Sequence, residues 1–461
     1  MDPAEILLDA DAAEGAVPII ACRTAGLDQA LAELPPRQAA WAKANQFKAE
    51  SGRVLVCPDE QGQVAQVLFG LGGEDPADPF LPGKLARLLP AGTYSFAGGI
   101  ADERLAALGW LLEAYEFTRY RTAARSAASL AAPRGVDASA LRSTTAAVTL
   151  VRDLINRPAN DLGPAELEAV ARGVAERHGA SFSITAGEAL AEGFPLIHAV
   201  GAASSRPPRL IDFTSGEPDQ PKLTLVGKGV TFDTGGLDIK PSANMLLMKK
   251  DMGGAANVLG LAALIMEARL PVRLRVLIPA VDNAISGSAF RPGDILRSRK
   301  GLTVEIGNTD AEGRLILADA LALADEEAPD LMIDMATLTG AARVALGPDL
   351  PPFYTDDDRL AESLASHGRA ENDPLWRLPL WRPYNALFES KIADLNNAGS
   401  SGFAGSITAA LFLRRFVERA RSYAHFDIFA WTPTAKPGRP VGGDAQGIRA
   451  LFSLCRERWP A

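Results

Sequence analysis

Leu223-Thr224-Leu225-Val226-Gly227-Lys228-Gly229-Val230-Thr231-Phe232-Asp233-Thr234-Gly235-Gly236 carries the reading on which the fold turns. A short apolar run, Leu223–Val226, reads as a strand that empties into a glycine-rich polar stretch. The next apolar block, Ala255–Arg269, has the length of a helix and is apolar on every side, so it belongs between layers. Further on the pattern continues with a strand at Leu274–Ala280, a helix from Arg314 to Glu326 and a strand at Leu331–Ala336. Strands and helices alternating in this way predict an α/β fold whose larger, C-terminal domain has a mostly parallel central sheet flanked by helices. Upstream, Val17–Cys22, Val54–Cys57 and Val64–Gly70 read as strands and Arg104–Arg121 as an amphipathic helix, which predicts a smaller N-terminal α/β domain. Across Ala123–Ser143 the composition shifts to Ala, Ser, Arg and Thr with a Pro-Arg-Gly turn. A seam is expected near residue 145, dividing the chain into 1–145 and 146–461.

Composition narrows the chemistry. With 461 residues the chain can bury a large core without staples. Lys and Arg number 47 against 56 Asp and Glu, a formal charge of -9, which is opposite to the footprint of a dedicated nucleic-acid binder. The three cysteines (Cys22, Cys57, Cys455) and four histidines (His178, His198, His367, His425) are scattered singly, without CxxC, HxxxH or HExxH. That spacing removes zinc fingers, disulfide scaffolds and His-rich metalloprotease sites. His425, within Ala424-His425-Phe426-Asp427-Ile428, reads as a packing residue. No targeting segment and no run of eighteen apolar residues is evident, so a cytoplasmic protein without a membrane partner is expected.

Several segments are polar where a buried α/β core should be apolar. Gly227–Gly236, followed by Lys240-Pro241-Ser242, has the composition of a phosphate loop but not its spacing, because Gly229 stands where Ser or Thr must follow Lys228. In Lys249-Lys250-Asp251-Met252-Gly253-Gly254 the aspartate precedes the apolar helix and, taken alone, reads as a cap. In Asn308-Thr309-Asp310-Ala311-Glu312-Gly313-Arg314-Leu315 two carboxylates stand two apart, which in an extended conformation aims both to one side. Arg314, at the start of a helix, is poorly placed for the macrodipole and calls for another anion. Together these segments put Asp233, Asp251, Asp310 and Glu312 at the ends of elements of one sheet, where open α/β sheets bind ligands. Four crowded carboxylates repel one another, and divalent cations relieve that repulsion. Spacing alone leaves three readings open: a two-metal hydrolase, a single-metal site, or a structural acidic cluster. Carboxylate ligation without thiol or imidazole suits magnesium, manganese or a hydrolytic zinc pair.

The octapeptide Asn308–Leu315 resembles the signature of the leucyl aminopeptidase (cytosol aminopeptidase) family, the dimetal M17 peptidases. Gly227–Gly236, Lys240-Pro241-Ser242, Lys249–Ala256, Arg291-Pro292-Gly293-Asp294, Ala336–Gly340, Ala404–Leu413 and Arg152–Asp161 resemble the family's other blocks, in order. The resemblance covers most of residues 150–430 and implies a metal-dependent aminopeptidase that releases the N-terminal residue of peptides. It implies two divalent metal ions per subunit, zinc or manganese with magnesium or cobalt as alternatives. One site would use Lys228, Asp233, Asp251 and Glu312, and the other Asp233, Asp310 and Glu312. Lys228 would have to be neutral to act as a ligand. Lys240 would polarise the substrate carbonyl, and Arg314 would hold a bicarbonate acting as general base. Met248, Thr337 and Gly340 would line the pocket for the N-terminal side chain, with Leu338 and Gly340 offering backbone groups to the peptide. A homohexamer is implied, with the N-terminal domain serving oligomerisation or regulation. The alternative is an aminopeptidase-fold DNA-binding protein, disfavoured by the net charge but kept open by Arg119, Arg121, Arg125, Arg134 and Arg142 near the seam. The chain departs from the family at Leu246–Lys250 and at Phe429-Ala430-Trp431-Thr432-Pro433, where larger residues are expected to reshape the pocket and make a leucine preference doubtful.

Overall fold

Residues 2–73, 78–122 and 128–460 are described by the computed structural model. Contacts divide the chain into Met1–Thr149 with Thr434–Val441, and Leu150–Pro433 with Gly442–Ala461. The smaller unit holds a six-stranded sheet in the order Leu7–Leu8, Ser129–Ala131, Thr93–Gly98, Val17–Arg23, Val64–Gly72, Val54–Pro58. Its neighbours run parallel except for the last pair.

The helix expected over Arg104–Arg121 spans Glu103–Glu113. It stops there because the Arg87 guanidinium donates to the carbonyls of Glu113, Ala114 and Tyr115 at 3.0, 2.8 and 2.9 Å, taking acceptors that a further turn would need. Of the arginines near the seam, Arg142 is engaged by Asp9 at 2.9 Å and by the Leu7 carbonyl, and Arg125 lies outside the described residues.

The larger unit is built on a nine-stranded sheet. Its strands are β1 (Ser181–Ala186), β2 (Arg209–Ser215), β3 (Lys222–Gly227), β4 (Gly229–Asp233), β5 (Arg273–Asn283), β6 (Leu331–Ala336), β7 (Pro352–Tyr354), β8 (Trp376–Arg377) and β9 (Tyr423–Asp427). The spatial order is β8-β7-β9-β6-β3-β5-β2-β1, with β4 also paired to β5. The centre, β9-β6-β3-β5, is parallel, while β2 joins β5 and β7 joins β9 antiparallel. Every residue of β6 and all but the first of β3 are buried, which is why both read as mostly apolar runs, interrupted only by Asp334 and Thr224, rather than as alternating ones.

The apolar helix is α1 (Gly253–Glu267), buried along nearly its whole length. It starts hard against the strand ends: a Cβ on Gly254 would come within 2.0 Å of the Met335 carbonyl oxygen, so only glycine admits this approach. Helix α2 (Glu312–Glu326) follows the octapeptide turn, and α3 (Gly340–Leu346) follows β6. Because the central strands are parallel, their carboxyl ends share one edge of the sheet. Lys228 follows β3, Asn283 ends β5, Thr337 follows β6 and Asp427 ends β9. Among the described residues no helix is long and apolar enough to cross a membrane.

Beyond β9 the chain is held by buried polar groups. Gln446 Oε1 accepts from the N–H groups of Phe429 and Ala430 at 2.9 and 2.8 Å, and Asn156 Oδ1 accepts from Gly443 at 2.9 Å. Arg152 pairs with Asp444 at 3.1 Å, with side chains 1% and 7% exposed. Removing one member of so buried a pair strands the other charge. Arg152→Met is expected to destabilise the larger unit by about 3–5 kcal/mol. Differential scanning calorimetry of the single variant beside the double variant Arg152→Met/Asp444→Leu checks this, the double recovering part of the loss.

Candidate active site

At the carboxyl edge of the sheet lies a cleft of about 460 Å³. Asp233 reaches it through strand register: Asp233 pairs with Asn283 across β4 and β5, and Asn283 Nδ2 donates to Asp233 Oδ1 at 2.8 Å. The Gly235 N–H donates to the same oxygen at 2.9 Å, so Oδ2 is left for other partners. Asp251 does not cap the helix, contrary to its isolated reading. The helix begins two residues later, and Asp251 instead accepts the Thr337 hydroxyl at 2.8 Å and faces the Lys228 ammonium at 2.7 Å.

Asp310 and Glu312 come together by a different route from the extended conformation expected of them. Asp310 lies in a turn and Glu312 is the first residue of α2. Strand Thr303–Glu305 pairs in parallel with Leu395–Asn396, which delivers Asn397 to the turn. There Asn397 Oδ1 accepts from Gly307 and Asn308 at 2.8 and 3.2 Å, and its amide donates to the Asn308 carbonyl at 2.8 Å. Thr309 fixes the facing loop, donating from Oγ1 to the Gly235 carbonyl at 2.7 Å and from its N–H to Asp238 at 2.8 Å. Oxygens of Asp233, Asp310 and Glu312 then lie within 4.8 Å of one another.

Two lysines neutralise this cluster. Lys228 stands 2.7 Å from Asp251 and 2.9 Å from Glu312, and Lys240 stands 2.8 Å from Asp233 and also contacts Asp310. Gly313 makes room for the first: a Cβ there would lie 2.5 Å from Lys228 Cε. Burial disfavours both ammonium groups, but the surrounding carboxylates outweigh it and hold both pKa values above the ordinary lysine range. For the acids the balance is reversed. Burial first, then the charge of Asp233, pushes Glu312 up to about 8 and Asp310 up to about 6, and burial likewise raises Asp251. Asp251 Oδ2, Asp310 Oδ1 and Glu312 Oε1 are buried and touch ammonium groups without a well-aligned hydrogen bond. Oxygen-rich, charge-crowded and incompletely bonded, the set suits hard or borderline divalent cations.

The other residues singled out in the sequence also line the cleft, with Glu312 buried beside it: Met248, Thr337, Leu338, Gly340 and Arg314. Leu338 has less to offer than expected, since its N–H already donates to Asp427 at 3.0 Å and only its carbonyl remains. Arg314 Nη1 donates to the Asn397 carbonyl at 2.8 Å, while its buried Nε has no hydrogen-bond partner. Burial lowers its pKa to about 10, still high enough to keep it charged. His425 is fully buried, 2.7 Å from Asp334 and stacked on Tyr354, away from the cleft lining.

Asn283, Thr309, Asn397 and Asp427 escaped the sequence reading. Only Asn283 carried a signal, as one of two polar residues, Asp282 and Asn283, that follow the apolar run Val276–Val281. Asp427 accepts from the N–H groups of Leu338 and Thr339 and from the hydroxyls of Thr339 and Ser406, fixing the backbone between β6 and α3.

Residues 149–452 match the catalytic domain of the cytosol aminopeptidase family, M17, and residues 17–133 match the M17 aminopeptidase N-terminal domain. A probable cytosol aminopeptidase of Syntrophotalea carbinolica is 43% identical over 368 residues, covering 76% of this chain and 74% of its own. The crystal structure of cytosol aminopeptidase from Coxiella burnetii superposes with a TM-score of 0.92 at 45% identity, covering 96% of this chain and 97% of that one. The bottromycin maturation enzyme BotP in complex with Mn superposes with a TM-score of 0.86 at 32% identity, covering 96% and 99%. With matches along both units and a carboxylate cluster at the sheet edge of the catalytic one, the chain belongs to the cytosol aminopeptidase family and is a peptidase hydrolase.

Proposed function

We propose that the cleft removes the N-terminal residue of peptides with the help of two divalent cations, zinc or manganese with magnesium or cobalt as alternatives. The observation that carries this reading is the convergence of the Asp233, Asp310 and Glu312 oxygens within 4.8 Å, with two lysine ammonium groups paired to them. Lys228, Asp233, Asp251 and Glu312 would hold one cation and Asp233, Asp310 and Glu312 the other. The manganese named with BotP supports the assignment by similarity. Lys228 would give up its proton to become a ligand. Bound there, the cations would supply Lewis acidity and an acidified water.

The remaining work falls to side chains of this chain. Lys240, free of its carboxylates once these bind cations, would place positive charge where the scissile carbonyl oxygen becomes anionic. A donor of this kind is worth on the order of 3 kcal/mol in comparable enzymes. Arg314, which lines the cleft and whose Nε has no hydrogen-bond partner among the described residues, would hold a bicarbonate, whose chemistry is that of a general base. Asp310 is the most exposed acid of the cluster, at 33%, and the substrate's free amine would ligate one of the cations there. We further assign to residues 1–145 a role in forming a homohexamer, and to the protein a place in the cytoplasm. Light scattering tests the assembly.

Asp310→Asn and Glu312→Gln are each expected to lower hydrolysis of an amino-acid anilide at least ~100-fold, since even outer-shell partners of a metal site are worth 10–100-fold. Initial rates in metal-defined buffer, with circular dichroism to verify folding, check this; full activity in either variant removes the assignment. A peptide acetylated at its N-terminus is expected to resist cleavage that its free-amine counterpart undergoes, as read by chromatography of the products. Dialysis against a chelator is expected to abolish turnover, and adding back zinc, manganese, cobalt or magnesium singly to restore it to different extents.

A further inference from the structure

We propose that the end of the cleft formed by Lys250, Arg343 and Phe429 selects peptides whose N-terminal residue is acidic, aspartate or glutamate. This rests on the aminopeptidase reading above and names its substrate class. Lys250 and Phe429 both belong to the stretches read from the sequence as reshaping the pocket, and the structure brings the two together. The Lys250 ammonium stands 4.7 Å from the centroid of the Phe429 ring, and the Arg343 guanidinium stands 5.2 Å from the same ring. All three line the cleft, along with Met248, Thr337 and Gly340. Arg343 and Gly340 share the short helix α3, and Lys250 precedes Asp251, which Thr337 binds. The cations thus sit at the end where the N-terminal side chain is expected.

Lys250 is only 5% exposed, and its ammonium has no hydrogen bond or ion pair among the described residues. Arg343 is exposed and likewise has no carboxylate partner there. The adjacent Lys249 is used differently: it donates to the Asn156 carbonyl at 2.8 Å, lies 5.6 Å from the Trp431 ring and does not line the cleft. Of the two consecutive lysines, only one is aimed at substrate. A ring face attracts cations but does not neutralise them. An aliphatic side chain entering here would strip water from Lys250 and return nothing, whereas a carboxylate would pair with it. Phe429 supplies an aromatic wall at this end, with both cations within about 5 Å of its ring.

The test uses the full-length, metal-loaded enzyme and four fluorogenic amides, of glutamate, glutamine, aspartate and leucine. Glutamate and glutamine are the decisive pair because they differ in charge and hardly in shape. The wild type is expected to favour glutamate over glutamine in kcat/KM by on the order of tenfold. Lys250→Met, which keeps the volume, and Arg343→Gln, at an exposed site, should each reduce that ratio at least threefold, by about the loss of one charged partner. Arg343→Glu should carry the preference toward glutamine. A wild-type ratio at or below one, or a ratio unchanged in both Lys250→Met and Arg343→Gln, overturns the proposal while leaving the aminopeptidase reading intact. Cleavage of none of the four amides removes both.

Discussion

Everything at this site follows from crowding four carboxylates, Asp233, Asp251, Asp310 and Glu312, at one edge of the sheet, all but Asp310 almost fully buried. Each is drawn to the carboxyl edge of the sheet by a different element, and like charges so close must be compensated or protonated. Two lysines supply the compensation in the protein alone, Lys228 against Asp251 and Glu312 and Lys240 against Asp233 and Asp310. The surrounding architecture serves that juxtaposition. Gly313 leaves room for Lys228, Gly254 lets α1 close on the strand ends, and Asn283, Thr309 and Asn397 fix the loops. Such a cluster is poised to accept cations, because binding them releases the repulsion already built into the fold.

A second layer of control lies in the segment after β9. Its backbone is tied by Gln446 and by the Arg152–Asp444 pair, both buried, so Phe429 is held as a fixed wall. Lys250 and Phe429 are far apart in sequence and adjacent in space, which is the mark of a pocket composed as a unit.

Much of the fold was legible because burial writes itself into periodicity. The runs at Leu223–Val226 and Leu331–Ala336 are strands buried on both faces, and α1 is apolar all round because it is enclosed. Boundaries were less legible where tertiary contacts end an element: Arg87 terminates the helix at Glu113 from a distant part of the chain. The association of Thr434–Val441 with the smaller unit has no local signal either. At the site, residue types and order pointed to carboxylate chemistry, yet the capping reading of Asp251 failed because its carboxylate is taken up by Thr337 and Lys228, which lie far from it in the chain.

The sequence by itself determined the alternation of strands and helices, the absence of thiol and imidazole ligand sets, and the acids and lysines that make up the cluster. These are properties of local pattern and of residue chemistry, which need no fold to be read. Only the tertiary structure decided which oxygens converge, that Asp310 and Glu312 meet through a turn clamped by Asn397, and that Lys250 and Arg343 flank one aromatic ring. Those outcomes depend on strand register and on loops held by residues far away in the chain, and distances set by such long-range contacts leave no trace in any short stretch of sequence.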